Sequence, residues 1–332
     1  MEDWKHREEN FEIARSLLIL SQFDELCKLA EGLCEIVPLK GISLLRGLYH
    51  SNLDRAVGDI DLLIIPAENL GAYIDRLQQN GYELQFDFMR HKATRERKRK
   101  VALKSKAKHL AVDVDLHTAF VTKKFFSQSV KDFNRDALTR CTLAGNGIRQ
   151  MDSTDEWLFL AQHATFHLFS DPKWLRDLDL LSRQMSSDEW QQLTERARHY
   201  GFLRIHYLTT VYLKSFGLNF QHPLPELCGG KLFRRFTESY FPNRVSVLTQ
   251  KLTNLFWEFL FIDSTNARLR AYGQLLFPSL ALLRNIYRVK KRIWAVLLYP
   301  LHLPLSLLAM LLFGAIYLCR TISPILILRG KN

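Results

Sequence analysis

Cysteine is sparse and scattered in this chain: Cys27, Cys34, Cys141, Cys228 and Cys319 fall at no metal-ligand spacing. That argues against a thiolate metal site, and the odd number and wide scatter fit a reducing compartment where thiols stay free. A secretory signal is not expected, because the first ten residues are charged and no apolar stretch with a cleavage site follows. Internal repeats and low-complexity linkers are missing too, which removes repeat architectures. Formal charge is absent over 27 residues, Ile293 to Cys319. What remains is an ordinary folded composition: 332 residues, 47% hydrophobic and 24% charged, enough for a core in two domains.

The chemistry concentrates in Gly58-Asp59-Ile60-Asp61-Leu62-Leu63-Ile64-Ile65. On a strand, Asp59 and Asp61 project from one face while Ile60 and Leu62 point to the other. Two carboxylates so close repel each other unless a cation lies between them, and Mg²⁺ is the hard ion that shares carboxylates with phosphates. An isolated Asp-x-Asp is also read simply as an acidic turn before a core strand. Its neighbours decide the matter. Upstream, Pro38-Leu39-Lys40-Gly41-Ile42-Ser43 reads as an apolar approach, a turn and a short helix. Gly41 permits close backbone approach to a ligand, and a helix start offers free N–H groups to an anion. Lys40 and Arg55 add cations for phosphate oxygens. Downstream, Val112-Asp113-Val114-Asp115-Leu116-His117 alternates as a second strand, with Asp113, Asp115 and His117 on one face. His117 reads as a satisfied strand histidine, with metal chemistry as the alternative.

The ordered set of Leu39-Lys40-Gly41, Arg55, Asp59-Ile60-Asp61 and Asp115-Leu116-His117 resembles the nucleotidyltransferase superfamily typified by DNA polymerase beta. Within it the chain is most similar to a bacterial group labelled only as uncharacterised nucleotidyltransferases. His163 and His167, followed by Trp174-Leu175-Arg176-Asp177-Leu178-Asp179-Leu180-Leu181, resemble the helical segment of that group, so the likeness covers about residues 10–220. In the turn, Ile42 follows Gly41 and Ser43 comes one place later, where the superfamily has Gly-Gly or Gly-Ser. The spacing from Gly41 to Asp59 is also longer than in the tightest members. The resemblance implies two Mg²⁺ (or Mn²⁺) ions held by Asp59, Asp61 and Asp115, with Asp113 as an alternative ligand. It implies an NTP bound by Lys40, Gly41, Ser43 and Arg55. The reaction is an in-line displacement at the α-phosphorus that moves a nucleoside monophosphate to an acceptor hydroxyl and releases pyrophosphate. A glycan precursor, a protein or an RNA end would serve as acceptor. A catalytically inactive, membrane-tethered nucleotide-binding or assembly subunit is the alternative.

Net charge is +12, and ten Lys or Arg residues against Glu96 lie between Arg90 and Lys108. This run is expected to join two strands and to overhang the site, where it would meet triphosphate, RNA or an anionic surface, or simply water. Lys290-Lys291-Arg292 precede the uncharged run 293–319, which exceeds the ~20 residues that cross a bilayer core. Pro300 and Pro304 interrupt it, so a kinked transmembrane helix, an interfacial anchor and a buried helical hairpin compete. The basic cluster predicts a body at the cytoplasmic face of the membrane.

The expected fold is α+β. A nucleotidyltransferase-type mixed sheet with flanking helices fills residues 1–150, a helical domain follows over 151–275, and an apolar helical tail over 276–332. Helices are predicted over Phe11–Leu33 and Glu68–Asn80, the latter ended by Gly81. Strands are predicted over 59–65, Tyr82–Met89 and Leu110–Leu116. Ser153-x-x-Glu156 and Ser186-x-x-Glu189 have capping-box form, and Gly201 and Gly217 close later helices.

Overall fold

A periodic stripe of Ile19, Phe23, Leu26, Cys27 and Ala30 runs along the first helix and explains how the fold begins, since residues three and four apart share one face. The structure is a computed structural model. It describes residues 2–49, 55–84, 100–105, 112–121, 127–145, 147–167, 169, 171–216, 220–226, 261–280, 283–284, 293–294, 296–308, 311 and 315. The chain forms two compact units, residues 1–122 with 130–160 and residues 123–129 with 161–332.

The first unit is built on a mixed sheet. Its strands are β1 (Glu35–Leu39), β2 (Asp59–Ile65), β3 (Tyr82–Leu84), β4 (Lys100–Ser105), β5 (Asp113–His117), β6 (Thr142–Gly145) and β7 (Ile148–Gln150). They stand in the order β3-β4-β5-β2-β1-β7-β6. β2 runs antiparallel to β1 and parallel to β5, so two carboxylate strands lie side by side at the centre. One sheet face carries Ile60, Leu62 and Ile64 of β2 with Val114 and Leu116 of β5. Against it pack α1 (Glu2–Ala30) and α3 (Leu70–Gln79), the latter through Tyr73, Ile74 and Leu77. Burying such aliphatic side chains stabilises by about 1.5–3 kcal/mol each, so this face anchors the sheet. Tyr73 Oη donates to the Leu26 carbonyl at 2.8 Å, and Arg76 Nη1 donates to the carbonyls of Leu29 and Glu31, which ties α3 to the end of α1. The α+β class with a mixed sheet and flanking helices is therefore present.

Several boundaries differ from expectation. The run of basic residues does not simply link two strands: Lys100–Ser105 is itself a strand, paired antiparallel to β5 with Ala102 opposite Asp115. Its Val-Ala-Leu centre supplies the β character, while residues 90–99 and 106–108 lie outside the described residues. Of the strand expected over Tyr82–Met89, Tyr82–Leu84 is formed and the rest lies outside them. The hairpin of β6 and β7, and the helix α4 (Ser127–Arg140), had no clear sequence signal. Ser153 lies inside α5 (Ser153–Phe166) rather than capping it: Asp152 Oδ1 accepts the N–H groups of Thr154 and Asp155, a better cap because it is charged. Gly81, at φ +86, follows α3 as expected.

The second unit is helical in its described part. Its described part includes α6 (Pro172–Gln184), α7 (Ser187–His199), α8 (Leu203–Ser215) and α9 (Thr265–Leu276). Ser186 and Glu189 form both bonds of a capping box at the start of α7. Gly201, at φ +71, follows that helix, and Gly217 lies outside the described residues. In the tail, described residues from 296 to 308 are helical through both Pro300 and Pro304. Among the described residues no helix is long and apolar enough to cross a membrane. On this stretch Leu297, Leu301 and Leu305 are exposed, whereas His302 and Ser306 are buried.

Candidate functional site

The alternation that buries Ile60 and Leu62 sends Asp59 and Asp61 to the other sheet face. Parallel pairing sets Asp59 beside Asp113, Asp61 beside Asp115 and Leu63 beside His117. Directly paired residues share a face, so two strands deliver four carboxylates and an imidazole to one surface. Depth then sorts them. Asp113 is exposed and Asp59 half-buried at the strand starts, whereas Asp61 (1% exposed), Asp115 and His117 are buried. Ligand atoms of Asp61, Asp115 and His117 all lie within 4.8 Å of one another. Asp59 is one pleat repeat outside that group. Arg15 of α1 donates to the Gly58 carbonyl at 3.2 Å and so holds the backbone just before Asp59, a contact 43 residues distant in the chain.

Lys40 occupies the junction of β1 and α2 (Lys40–Gly47), where Leu39 pairs with Asp61. Its φ of +52 is in the left-handed region, a conformation that costs a side-chain-bearing residue about 1–3 kcal/mol. In that position Lys40 Nζ donates to Asp61 Oδ1 at 2.8 Å. His117 Nε2 lies 2.8 Å from the same oxygen. Burial works to raise the Asp61 carboxyl, but the His117 hydrogen bond and the Lys40 charge outweigh it and hold it well below the usual carboxylate range. His117 is thus more than a satisfied strand histidine. Its Nδ1 is buried without a hydrogen-bond partner among the described residues.

The remaining predicted residues gather at the start of α2. A Cβ at Gly41 would stand 2.7 Å from Arg55 Nη1 and 3.1 Å from Val57 Cγ1, so glycine is what lets the guanidinium lie over the turn. Arg55 is buried, and its Nη1 donates to the Ala56 carbonyl at 3.4 Å. Ser43 is different. It faces inward on α2, and its hydroxyl donates to Glu156 Oε1 at 2.6 Å. Glu156 was assigned to a capping box by sequence spacing; here it ties α5 to α2, and only a tertiary contact could reveal it.

A carboxylate pair with an imidazole, arranged around one buried oxygen that already attracts two donors, has the chemistry of a divalent cation site. Carboxylate oxygens suit Mg²⁺ and Mn²⁺, and the imidazole leans toward Mn²⁺. Lys40 holds the position of positive charge beside Asp61 in this conformation.

Comparison with known proteins agrees with this geometry. The family model described as "Uncharacterised nucleotidyltransferase" matches residues 2–217. That span includes the two carboxylate strands, the Lys-Gly turn and the helices through α8. No curated protein and no solved structure matches the chain. A match over well more than half the chain, with the acidic cluster at the centre of its sheet, makes this protein a member of the uncharacterised nucleotidyltransferase family and an enzyme of that class.

Proposed function

We propose that the protein transfers a nucleoside monophosphate from an NTP to an acceptor hydroxyl and releases pyrophosphate. The observation that carries this reading is the convergence of Asp61, Asp115 and His117 within 4.8 Å, directly beside the Lys40-Gly41 turn. Divalent ions bound there, two in the proposal, would supply charge neutralisation at the α-phosphorus and lower the pKa of the attacking hydroxyl. The protein's own residues do the rest. Asp61 and Asp115 would hold the ions, with Asp59 and Asp113 extending the carboxylate row toward the strand starts. Lys40 and Arg55 bind phosphate oxygens at the free N–H end of α2, where Gly41 leaves the necessary space. Lys40 would have to leave Asp61 Oδ1 to do so, since the same carboxylate would hold a divalent ion. Ser43 reaches the nucleotide in this proposal only by giving up Glu156.

The acceptor is a glycan precursor, a protein or an RNA end, reached at the cytoplasmic face of a membrane. The division into a catalytic domain over 1–150, a helical domain over 151–275 and a tail over 276–332 belongs to the same proposal. One observation favours a second reading. Lys40 neutralises Asp61 as a permanent counter-ion would, which fits a catalytically inactive nucleotide-binding or assembly subunit. The test uses full-length protein with each NTP labelled at the α- or the γ-phosphorus, Mg²⁺ or Mn²⁺, and a membrane extract. The α-label is expected in an acceptor and the γ-label in pyrophosphate. Retention of both labels in intact NTP, for all four nucleotides and both metals, would favour the inactive subunit.

A further inference from the structure

The tail helix is turned inside out relative to the helices of a water-soluble domain. Nine large apolar side chains between 293 and 311 are exposed. Ile293, Leu297, Leu301, Leu305 and Leu308 follow one another at spacings of three and four, so they form one continuous stripe, with Leu301 57% exposed. The hidden side of the same helix carries His302, 2% exposed, and Ser306; the His302 Nε2 and Ser306 Oγ atoms lie 3.2 Å apart. A helix facing water would show the opposite polarity, and a contiguous outward apolar patch marks a surface that meets a partner.

The chemistry of the stripe selects the partner. From residue 293 to 319 the sequence offers no formal charge, and the exposed side chains of the stripe bear no hydrogen-bonding group. A protein partner typically meets a polar rim around an apolar centre. Hydrocarbon alone asks for a surface with no polar groups and for polar side chains folded inward. Three consecutive cations, Lys290, Lys291 and Arg292, immediately precede the stripe and complement anionic headgroups. Trp294, exposed next to them, is a residue suited to the headgroup boundary. No helix among the described residues is long and apolar enough to cross.

We infer that the segment 293–311 lies in the plane of a lipid bilayer, with its leucine stripe in the acyl boundary and Lys290-Lys291-Arg292 among anionic headgroups. This deepens the proposed location at the membrane face and rests on that reading for its biological meaning, though not for its physics. Lying in plane, the helix needs no minimum length, and its inward His302–Ser306 pair stays out of the hydrocarbon.

The test is flotation of the full chain with vesicles of phosphatidylcholine, with and without 30% phosphatidylglycerol, a composition chosen on the order of natural anionic content. Wild-type protein is expected to float with both, and roughly tenfold more strongly with the anionic vesicles at low salt. The Leu301→Asn/Leu305→Asn variant should remain in the unbound fraction. The Lys290→Gln/Lys291→Gln/Arg292→Gln variant should float equally with both vesicles. NTP binding with Mg²⁺ is measured in each sample. Wild-type protein that binds Mg²⁺ and NTP yet does not float, or that forms a detergent-free dimer in which the stripe is protected, would overturn the lipid inference and leave the enzymatic reading intact. Protein that floats as expected but binds no NTP would overturn the enzymatic reading and leave this one.

Discussion

Replacing Lys40 with methionine separates the two cations that compete for Asp61. Methionine keeps the length of the side chain and removes its charge, so Asp61 stays buried with His117 Nε2 still 2.8 Å from its Oδ1. Breaking one side of a buried pair costs about 3–5 kcal/mol; with the Lys40 side chain 17% exposed and part of the loss made up by water, roughly 2–4 kcal/mol is expected. For a chain of this size that corresponds to a fall in Tm on the order of 3–6 °C in EDTA. Mg²⁺ should reverse much of it, since a ligand at a hundred times its Kd stabilises by about 2.7 kcal/mol. Because no ammonium has to be displaced, Mg²⁺ itself should bind about ten- to a hundredfold more tightly to Lys40→Met, a gain of roughly 1.4–2.8 kcal/mol. Triphosphate affinity should move the other way. The sign with pH follows from the depressed Asp61 carboxyl: its contribution is fully present above the unfolded value near 3.9 and is lost as pH falls toward the lower folded value. The acid limb of the wild-type stability curve should therefore be steeper than that of Asp61→Asn. Differential scanning fluorimetry across pH, with calorimetric Mg²⁺ titration, measures all of this. A Lys40→Met protein with wild-type Tm in EDTA and unchanged Mg²⁺ affinity would refute the competition.

Three further outcomes follow from individual contacts. Ser43→Ala should destabilise the first unit by about 1–3 kcal/mol, since Glu156 loses a buried donor; urea titration measures it, and a variant of wild-type stability with weakened NTP binding would place the hydroxyl on the nucleotide instead. Gly41→Ala forces a Cβ against Arg55 Nη1, so NTP affinity should fall severalfold more than adenosine affinity, and equal losses would mean that the turn only shapes the fold. Burial first, and His222 second, push the His206 imidazole down to about 3, so it stays neutral in the folded chain while the unfolded one protonates near 6.5. Its stability contribution is lost as pH drops below 6.5, at about 1.4 kcal/mol per pH unit, and His206→Gln should flatten urea midpoints between pH 7 and 5.

The parts of the site that rest on period and local chemistry were legible in the chain. Strict alternation announced β2 and β5 and the face shared by their carboxylates, and Gly41 announced a close approach. What was not legible depends on partners far away in sequence. Nothing near Lys40 says that its ammonium turns back to Asp61, because a lysine beside a glycine reads equally well as a free phosphate ligand. The capping-box spacing of Ser153 and Glu156 was misleading, since Asp152 wins the cap and Glu156 is drawn to Ser43. Strand β4 was hidden because its flanking lysines gave the segment the composition of a solvated loop. The tail's length and lack of charge were plain, but only the structure shows that its leucines face out while His302 and Ser306 face in.

The central claim is that Asp61, Asp115 and His117 form a divalent cation site serving nucleotidyl transfer, and Mn²⁺ electron paramagnetic resonance tests it most directly. Full-length protein titrated with Mn²⁺ in the presence of a non-hydrolysable NTP should immobilise the ion. Asp61→Asn and Asp115→Asn should lose at least tenfold in Mn²⁺ affinity, His117→Ala should lose less, and exposed Asp113→Asn should bind as wild type. Unchanged Mn²⁺ spectra and affinity in both Asp61→Asn and Asp115→Asn would contradict the account.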